Sequence, residues 1–473
     1  MTGVDIDFAM SNAMGEHAMP HRGSFKPEYR TLVLVLAISF ALLVAACGSG
    51  DDDAADSEPA TTEASDDQAS DEAASDDAAP DEEAPDEEGQ QESAEPDTTE
   101  APEAAEAPTA DPVTVWVIED SSEAAGLTFP SVRAGIDARV TRLNAEGGLG
   151  AAGHPVQVEV CITDFDPNAA AECARNAVDD PSAIAVAASV SANGDAYLPI
   201  LEEGGLANVG TTAFGQSDAT SSVSFPTMGG LIAATGCQAT VLRDEAGIAN
   251  FGVARNDVVG ADQVGLLLTV LGIPAASEVV TPIANTDYSA EIGALAADVD
   301  GIILAQDFTT AIRSLRAIEQ LGIDVPIAAS AAQGWTKENL AAAGPAAEGM
   351  YLALWYSPDD SGEPGVEQYL ADLEAIDGLE LTDDLAKMGW LAFELLDQAA
   401  TGVESLDRTT ILEGLNAMSA FDTGGLTPVL DFTTPGGLFG GAAPRFVNET
   451  CAYGQVSDGV VVGLTELLAP FSG

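Results

Sequence analysis

From residue 113 onward, short apolar runs alternate with stretches whose apolar positions recur every three or four residues. That is the pattern of strands alternating with amphipathic helices. Residues 113–118 (VTVWVI) read as a buried strand, and 131–144 place Val132, Ile136, Val140 and Leu143 on one helical face. A second strand follows at 156–162. Asp166-Pro167 then supplies an N-cap and a first helical residue for a helix to about 178. Next come a strand at 183–188, a short helix at 197–203 and a strand at 206–209. The rhythm resumes with helices at 231–244, 261–271, 290–297 and 310–321, alternating with strands at 248–254, 278–283, 301–305 and 325–329. Two successive series of this kind predict two parallel sheets, each covered by helices on both faces. The end departs from it. Helices at 366–375, 384–400 and 409–418 precede Gly/Thr/Pro-rich strands and a last strand pair, 445–455 and 459–462. This change of character predicts that the chain crosses between lobes again.

Charge and composition divide the chain further. The 473 residues hold 15 Lys+Arg against 78 Asp+Glu, a net charge of −63, which excludes a nucleic-acid binder. Residues 51–112 carry 25 of the acids and no Lys or Arg. The stretch 47–112 has almost no large apolar side chain, so it is expected to be a disordered acidic linker. Before it, Arg22, Lys26 and Arg30 precede an uncharged run at 31–46 (TLVLVLAISFALLVAA) that ends at Cys47. The basic, apolar, small-residue order is that of a secretory signal peptide over 1–46, and VAAC resembles a bacterial lipobox with Cys47 as the lipidated residue. The expected location is extracytoplasmic, anchored to the cell membrane. Export leaves Cys161, Cys173, Cys237 and Cys451 in an oxidising compartment, where three pairings are open. Cys161–Cys173 with Cys237–Cys451 is favoured, because the first would tie a strand end to the next helix. Zinc is the rival, but there is no C-x-x-C and only one His beyond the leader.

Several patterns carry possible chemistry. Residues 148–153 (GLGAAG) match G-x-G-x-x-G, but a helix precedes and a strand follows, the reverse of a dinucleotide site, so a turn is predicted. His154 sits in that turn and reads as a surface loop residue rather than a general base. Asp164 and Asp166 could be paired acids, but helix capping accounts for Asp166. No H-E-x-x-H, G-x-S-x-G or P-loop pattern occurs, which argues against an enzyme, and no cofactor is expected. Open parallel sheets bind ligands at the carboxyl ends of their strands. There Ser189, Ser191 and Asn193 form one candidate loop, whose hydroxyls and backbone N–H groups would suit a carboxylate.

Residues 133–166 (RAGIDARVTRLNAEGGLGAAGHPVQVEVCITDFD), with Asp287-Tyr288-Ser289, Asp300-Gly301-Ile302-Ile303 and 315–322, resemble type I periplasmic binding proteins. The nearest branch is the leucine/isoleucine/valine-binding receptors of ABC importers. The resemblance implies an α/β fold of two lobes, each a parallel sheet flanked by helices, joined by a three-strand hinge around a ligand cleft. Lobe 1 would comprise 113–226 and 355–440, and lobe 2 would comprise 227–354, with C-terminal strands at 441–473 returning to it. The favoured cysteine pairs then each fall within one lobe. The resemblance also places Thr212 and Phe214 beside the Ser189–Asn193 loop, and Asp307 and a segment at 329–335 in lobe 2. The family's acid that pairs with an α-ammonium is missing from that segment, so either Asp307 supplies the charge instead or the ligand carries no ammonium; Trp335, at the end of the segment, is a further candidate contact. The implied function is a lipid-anchored receptor, expected to be monomeric, that takes a small polar molecule such as an amino acid or amide to an ABC permease. The alternatives are a sensor feeding a membrane signalling protein and a cleft enzyme using Asp164, Asp166 or Asp307.

Overall fold

The computed structural model describes residues 110–122, 127–257, 261–330, 334–376, 383–438 and 441–471. The leader, Cys47 and nearly all of the acidic stretch lie outside them, as do Ala331, Ala332 and Gln333. Among the described residues no helix is long and apolar enough to cross a membrane.

The first sheet is parallel throughout, in the order β2-β1-β3-β4-β5: β1 (Val113–Glu119), β2 (Val156–Ile162), β3 (Ala183–Ala187), β4 (Ala207–Val209) and β5 (Ser224–Phe225). Its inner strands are apolar because helices cover both faces, and β3 is buried at every position, whereas the edge strand β2 exposes Gln157, Glu159 and Ile162. Two of these helices, α1 (Pro130–Ala145) and α11 (Asp384–Ala400), lie backbone to backbone. A Cβ on Gly135 would fall 1.9 Å from the Ala386 carbonyl oxygen, and one on Gly389 would fall 2.5 Å from that of Val132. The same contact buries Arg139, whose guanidinium is held by Glu394 (2.6 Å) and Asp397 (2.5 Å) of α11.

The second sheet has seven strands in the order β12-β11-β10-β9-β8-β6-β7. Its parallel part is β6 (Phe251–Asn256), β7 (Ser277–Thr281), β8 (Gly301–Ala305), β9 (Ile327–Ser330) and β10 (Tyr351–Leu354). The last two strands, β11 (Ala452–Ser457) and β12 (Val460–Gly463), are antiparallel additions. Separate apolar clusters fill the two lobes. Both disulfides form as favoured, Cys161–Cys173 in the first lobe and Cys237–Cys451 in the second.

Three segments join the lobes and are tied to one another. The Thr227 hydroxyl meets the Tyr356 hydroxyl at 2.8 Å, and Asn448 Nδ2 donates to the Thr227 carbonyl at 2.9 Å. Asn448 is fully buried.

Two sequence expectations fail in the C-terminal region. Over 419–444 the described residues form an isolated bridge, Phe421 to Leu430, rather than strands. Thr423 Oγ1 takes the Thr427 amide, a side-chain turn that competes with a ladder. The strand expected from 445 starts at Ala452, because Arg445 N and Nε bond to Ala219 O and Ser224 O of the first lobe. The return to the second sheet, expected at 441, therefore comes after Asn448. Sequence reading also missed β10 and the helix Lys337–Ala343, both too short to show a period.

Candidate functional site

A cavity of about 490 Å³ lies between the lobes, at the carboxyl ends of the strands. Its walls are mostly apolar, with Phe129, Phe165, Phe214, Phe308 and Leu385 among them. Among the described residues three carboxylates line it, Asp120, Asp307 and Asp383, and no Lys, Arg or His does.

Of the predicted residues, Ser191, Thr212, Phe214 and Asp307 reach the cavity. Ser189, Asn193 and Trp335 are not in its lining. The Ser189 hydroxyl accepts from Ile118 N (3.2 Å), and its carbonyl holds Thr212 N (3.0 Å). Asn193 donates to Asp120 Oδ2 (3.1 Å). Trp335 packs edge-on against Phe308, with its Nε1 donating to Ser330 O (3.0 Å). Asp307 is not a spare charge. It caps the helix Phe308–Leu321, accepting from Thr310 N (3.1 Å) and the Thr310 hydroxyl, and it also accepts from Asn256 Nδ2 (2.5 Å).

The donors of the Ser191 loop are also engaged. Asp120, at the end of β1, accepts from the Ser191 hydroxyl (2.9 Å), Ala192 N (2.7 Å), Asn193 and the Thr163 hydroxyl. Asn193 N donates to Ser191 Oγ (3.1 Å). The donors expected for a ligand carboxylate are thus spent on a carboxylate of the protein itself.

Sequence reading missed Asp120, Gln238, Asn256, Trp355 and Asp383. Asp120 and Asn256 sit just past or at the ends of strands, the rule that found Ser191, and Asp383 is a helix cap. Gln238 is mid-helix and Trp355 is on a crossing segment, and neither position has a local signal.

The remaining sequence candidates are structural. In GLGAAG, Leu149 pairs with His154 in a tight turn, and His154 Nδ1 meets Asp111 O at 2.8 Å. Asp166 caps the helix Pro167–Asp179, accepting from Asn168 N at 2.8 Å. No cluster of metal-ligating side chains occurs among the described residues.

Behind Phe214 lies Asp218, which is fully buried and accepts from Gly215 N (2.8 Å). Burial pushes its carboxyl up to about 7, with the Gly215 N–H opposing and the Asp195 charge adding. The folded form therefore holds a proton that the unfolded chain has lost by about pH 4. The stability this proton confers is full below that pH and is lost as pH rises toward 7. Asp218→Asn is expected to flatten the fall in Tm between pH 5 and pH 8, measured by thermal denaturation at four pH values. An unchanged slope would contradict this assignment.

The sequence matches the family model described as "Periplasmic binding protein" over residues 112–443, and the chain belongs to that family. This is a family of substrate-binding proteins, not enzymes. Similar solved structures include a leucine-binding protein, LivK, from Thermotoga maritima (20% identity, 76% of this chain and 99% of that one, TM-score 0.60). A LivJ from Streptococcus pneumoniae in complex with isoleucine has 16% identity, 76% and 99% coverage, and a TM-score of 0.63. A fatty acid transporter substrate-binding protein from Thermomonospora curvata has 17% identity, 77% and 95% coverage, and the same score. At these identities the likeness is one of fold: two α/β lobes of the type I arrangement. No curated protein sequence matches the chain.

Proposed function

We propose that this protein is the solute receptor of an ABC importer, closing its two lobes on a small organic molecule such as an amino acid or amide and delivering it unaltered to a permease. The observation that supports this reading is the 490 Å³ cavity with walls drawn from both lobes. Closure is driven by whatever contacts the ligand gains only when both walls touch it. Ser191 and Thr212 hold it from the first lobe, their hydroxyl oxygens accepting from its N–H groups because their protons go to Asp120 and Ser189 O, with Phe214 packing on its body and Asp307 bordering it from the second. Ser189, Asn193 and Trp335 support those groups from behind. The protein works outside the cell, with Cys47 lipidated and the acidic stretch 47–112 as a tether. Cys47→Ala is expected to release the protein into the medium, followed by immunoblotting of cell and medium fractions.

A thermal-shift screen of the full chain against amino acids, amides, ureas, amines and carboxylates tests the binding reading. A hit should lose roughly five- to tenfold in affinity in Ser191→Ala and again in Thr212→Ala, the worth of one hydrogen bond each. Affinity unchanged in both variants would remove these residues from the site.

A further inference from the structure

Among the described residues of the cavity wall, buried oxygens without partners outnumber buried donors without partners. Gln238, Asn256 and Asp383 are each more than nine-tenths buried, and each has a side-chain oxygen with no hydrogen-bond partner. The Asn256 amide is oriented by Asp307, a pure acceptor that must face its NH₂ group, so Oδ1 is the free atom. Gln238 Nε2 points to Leu304 O (3.5 Å), which likewise leaves Oε1 free. Asp383 uses Oδ1 to cap α11 through Ala386 N (2.8 Å), and its Oδ2 accepts no hydrogen bond of good geometry, although the Ser131 hydroxyl and the Lys387 charge also act on this carboxylate. The hydroxyl protons of Ser191 and Thr212 go to Asp120 and Ser189 O. Among the described lining residues one buried donor without a partner, Trp355 Nε1, stands against these three oxygens. Buried oxygens without partners are costly unless a ligand supplies the donors.

Position adds a length. Asp383 faces Gly334, where a Cβ would be 3.2 Å from Oδ2, just beyond β9. Asn256 ends β6, which is separated from β9 by β8 alone, so the two acceptors belong to different strands of the sheet, with at least two strand spacings, roughly 10 Å, between those strands. Aromatic and aliphatic side chains line the cavity they share.

We propose that the ligand is an elongated molecule with an apolar middle and nitrogen-borne donors at both ends, a cationic nitrogen pairing with Asp383 Oδ2 and a second N–H group meeting Asn256 Oδ1 and Gln238 Oε1. It has no carboxylate in the first-lobe loop, where Asp120 already occupies the donors. This rests on the receptor reading above and deepens it.

Three probes of one length test it by isothermal titration of the full chain: 1,7-diaminoheptane, 7-aminoheptanoate and heptanedioate. The diamine should bind most tightly and the diacid least, by at least tenfold at each step. Asp383→Asn, which keeps a good helix cap, should weaken the diamine at least tenfold and leave heptanedioate no weaker. If that variant does not fold, Asp383→Ser keeps the cap and serves the same comparison. The reverse order of probes, or a diamine affinity indifferent to Asp383, would overturn the proposal. If none of the three binds while another compound in the screen binds one per chain, the ligand assignment falls and the receptor reading stands. If no compound of either set binds, both fall.

Discussion

Replacing Cys237 and Cys451 together by serine is expected to destabilise the second lobe by about 5 kcal/mol. The bridge closes a loop of sequence separation 214, and in the chain-entropy view the stabilisation grows with the logarithm of that length. Removing Cys161–Cys173, of separation 12, should cost about 3 kcal/mol on the same reasoning. The difference has a structural side. Cys237 lies on the helix Gly230–Asp244, and Cys451 immediately precedes β11, where the third crossing segment rejoins the second sheet. Both sulfurs are buried in that lobe's core. The bridge thus fastens the chain's final return to the lobe it completes, while the short bridge pins one strand to its own following helix. Denaturant unfolding of the two double-serine variants checks this. Equal losses would mean that loop length does not decide the matter.

The second large effect concerns the cavity. Ala192 is half-buried on its wall, with its backbone N–H fixed by Asp120. Ala192→Trp is expected to place an indole where the ligand lies and to weaken binding at least a hundredfold. Because the new side chain enters open space rather than packed core, Tm without ligand should change little. Titration with the best compound from the screen reads the affinity, and the melting curve reads the fold. A retained affinity would place the ligand elsewhere.

The sequence and the structure agree where periodicity is strong and separate where a side chain's partner is distant. Alternation of apolar runs with helical stretches was enough to place both sheets, and Asp166-Pro167 marked its helix start correctly. Ser191 lines the cavity in keeping with the rule that ligand loops follow strands, and Thr212 and Phe214, placed by the family resemblance, line it too. Asp120 obeys the same rule, yet its role appears only when Ser191, Ala192 and Asn193 converge on it from some seventy residues away. Asp307 looked like a free charge in sequence, but its carboxylate is consumed by Thr310 and Asn256. Gln238 and Trp355 owe their places in the wall to tertiary packing, which no local pattern records. The strands expected in 419–444 failed for a local reason instead, since threonine side chains there satisfy the backbone.

The central claim is that both lobes share one unaltered cargo molecule. Native mass spectrometry of the full chain, after incubation with the small-molecule fraction of its growth medium, tests this most directly. The expected result is one added mass per chain, recovered chemically intact on denaturation and absent from Ala192→Trp. An added mass that persists in that variant, or one released as a different compound from the one bound, would contradict the account.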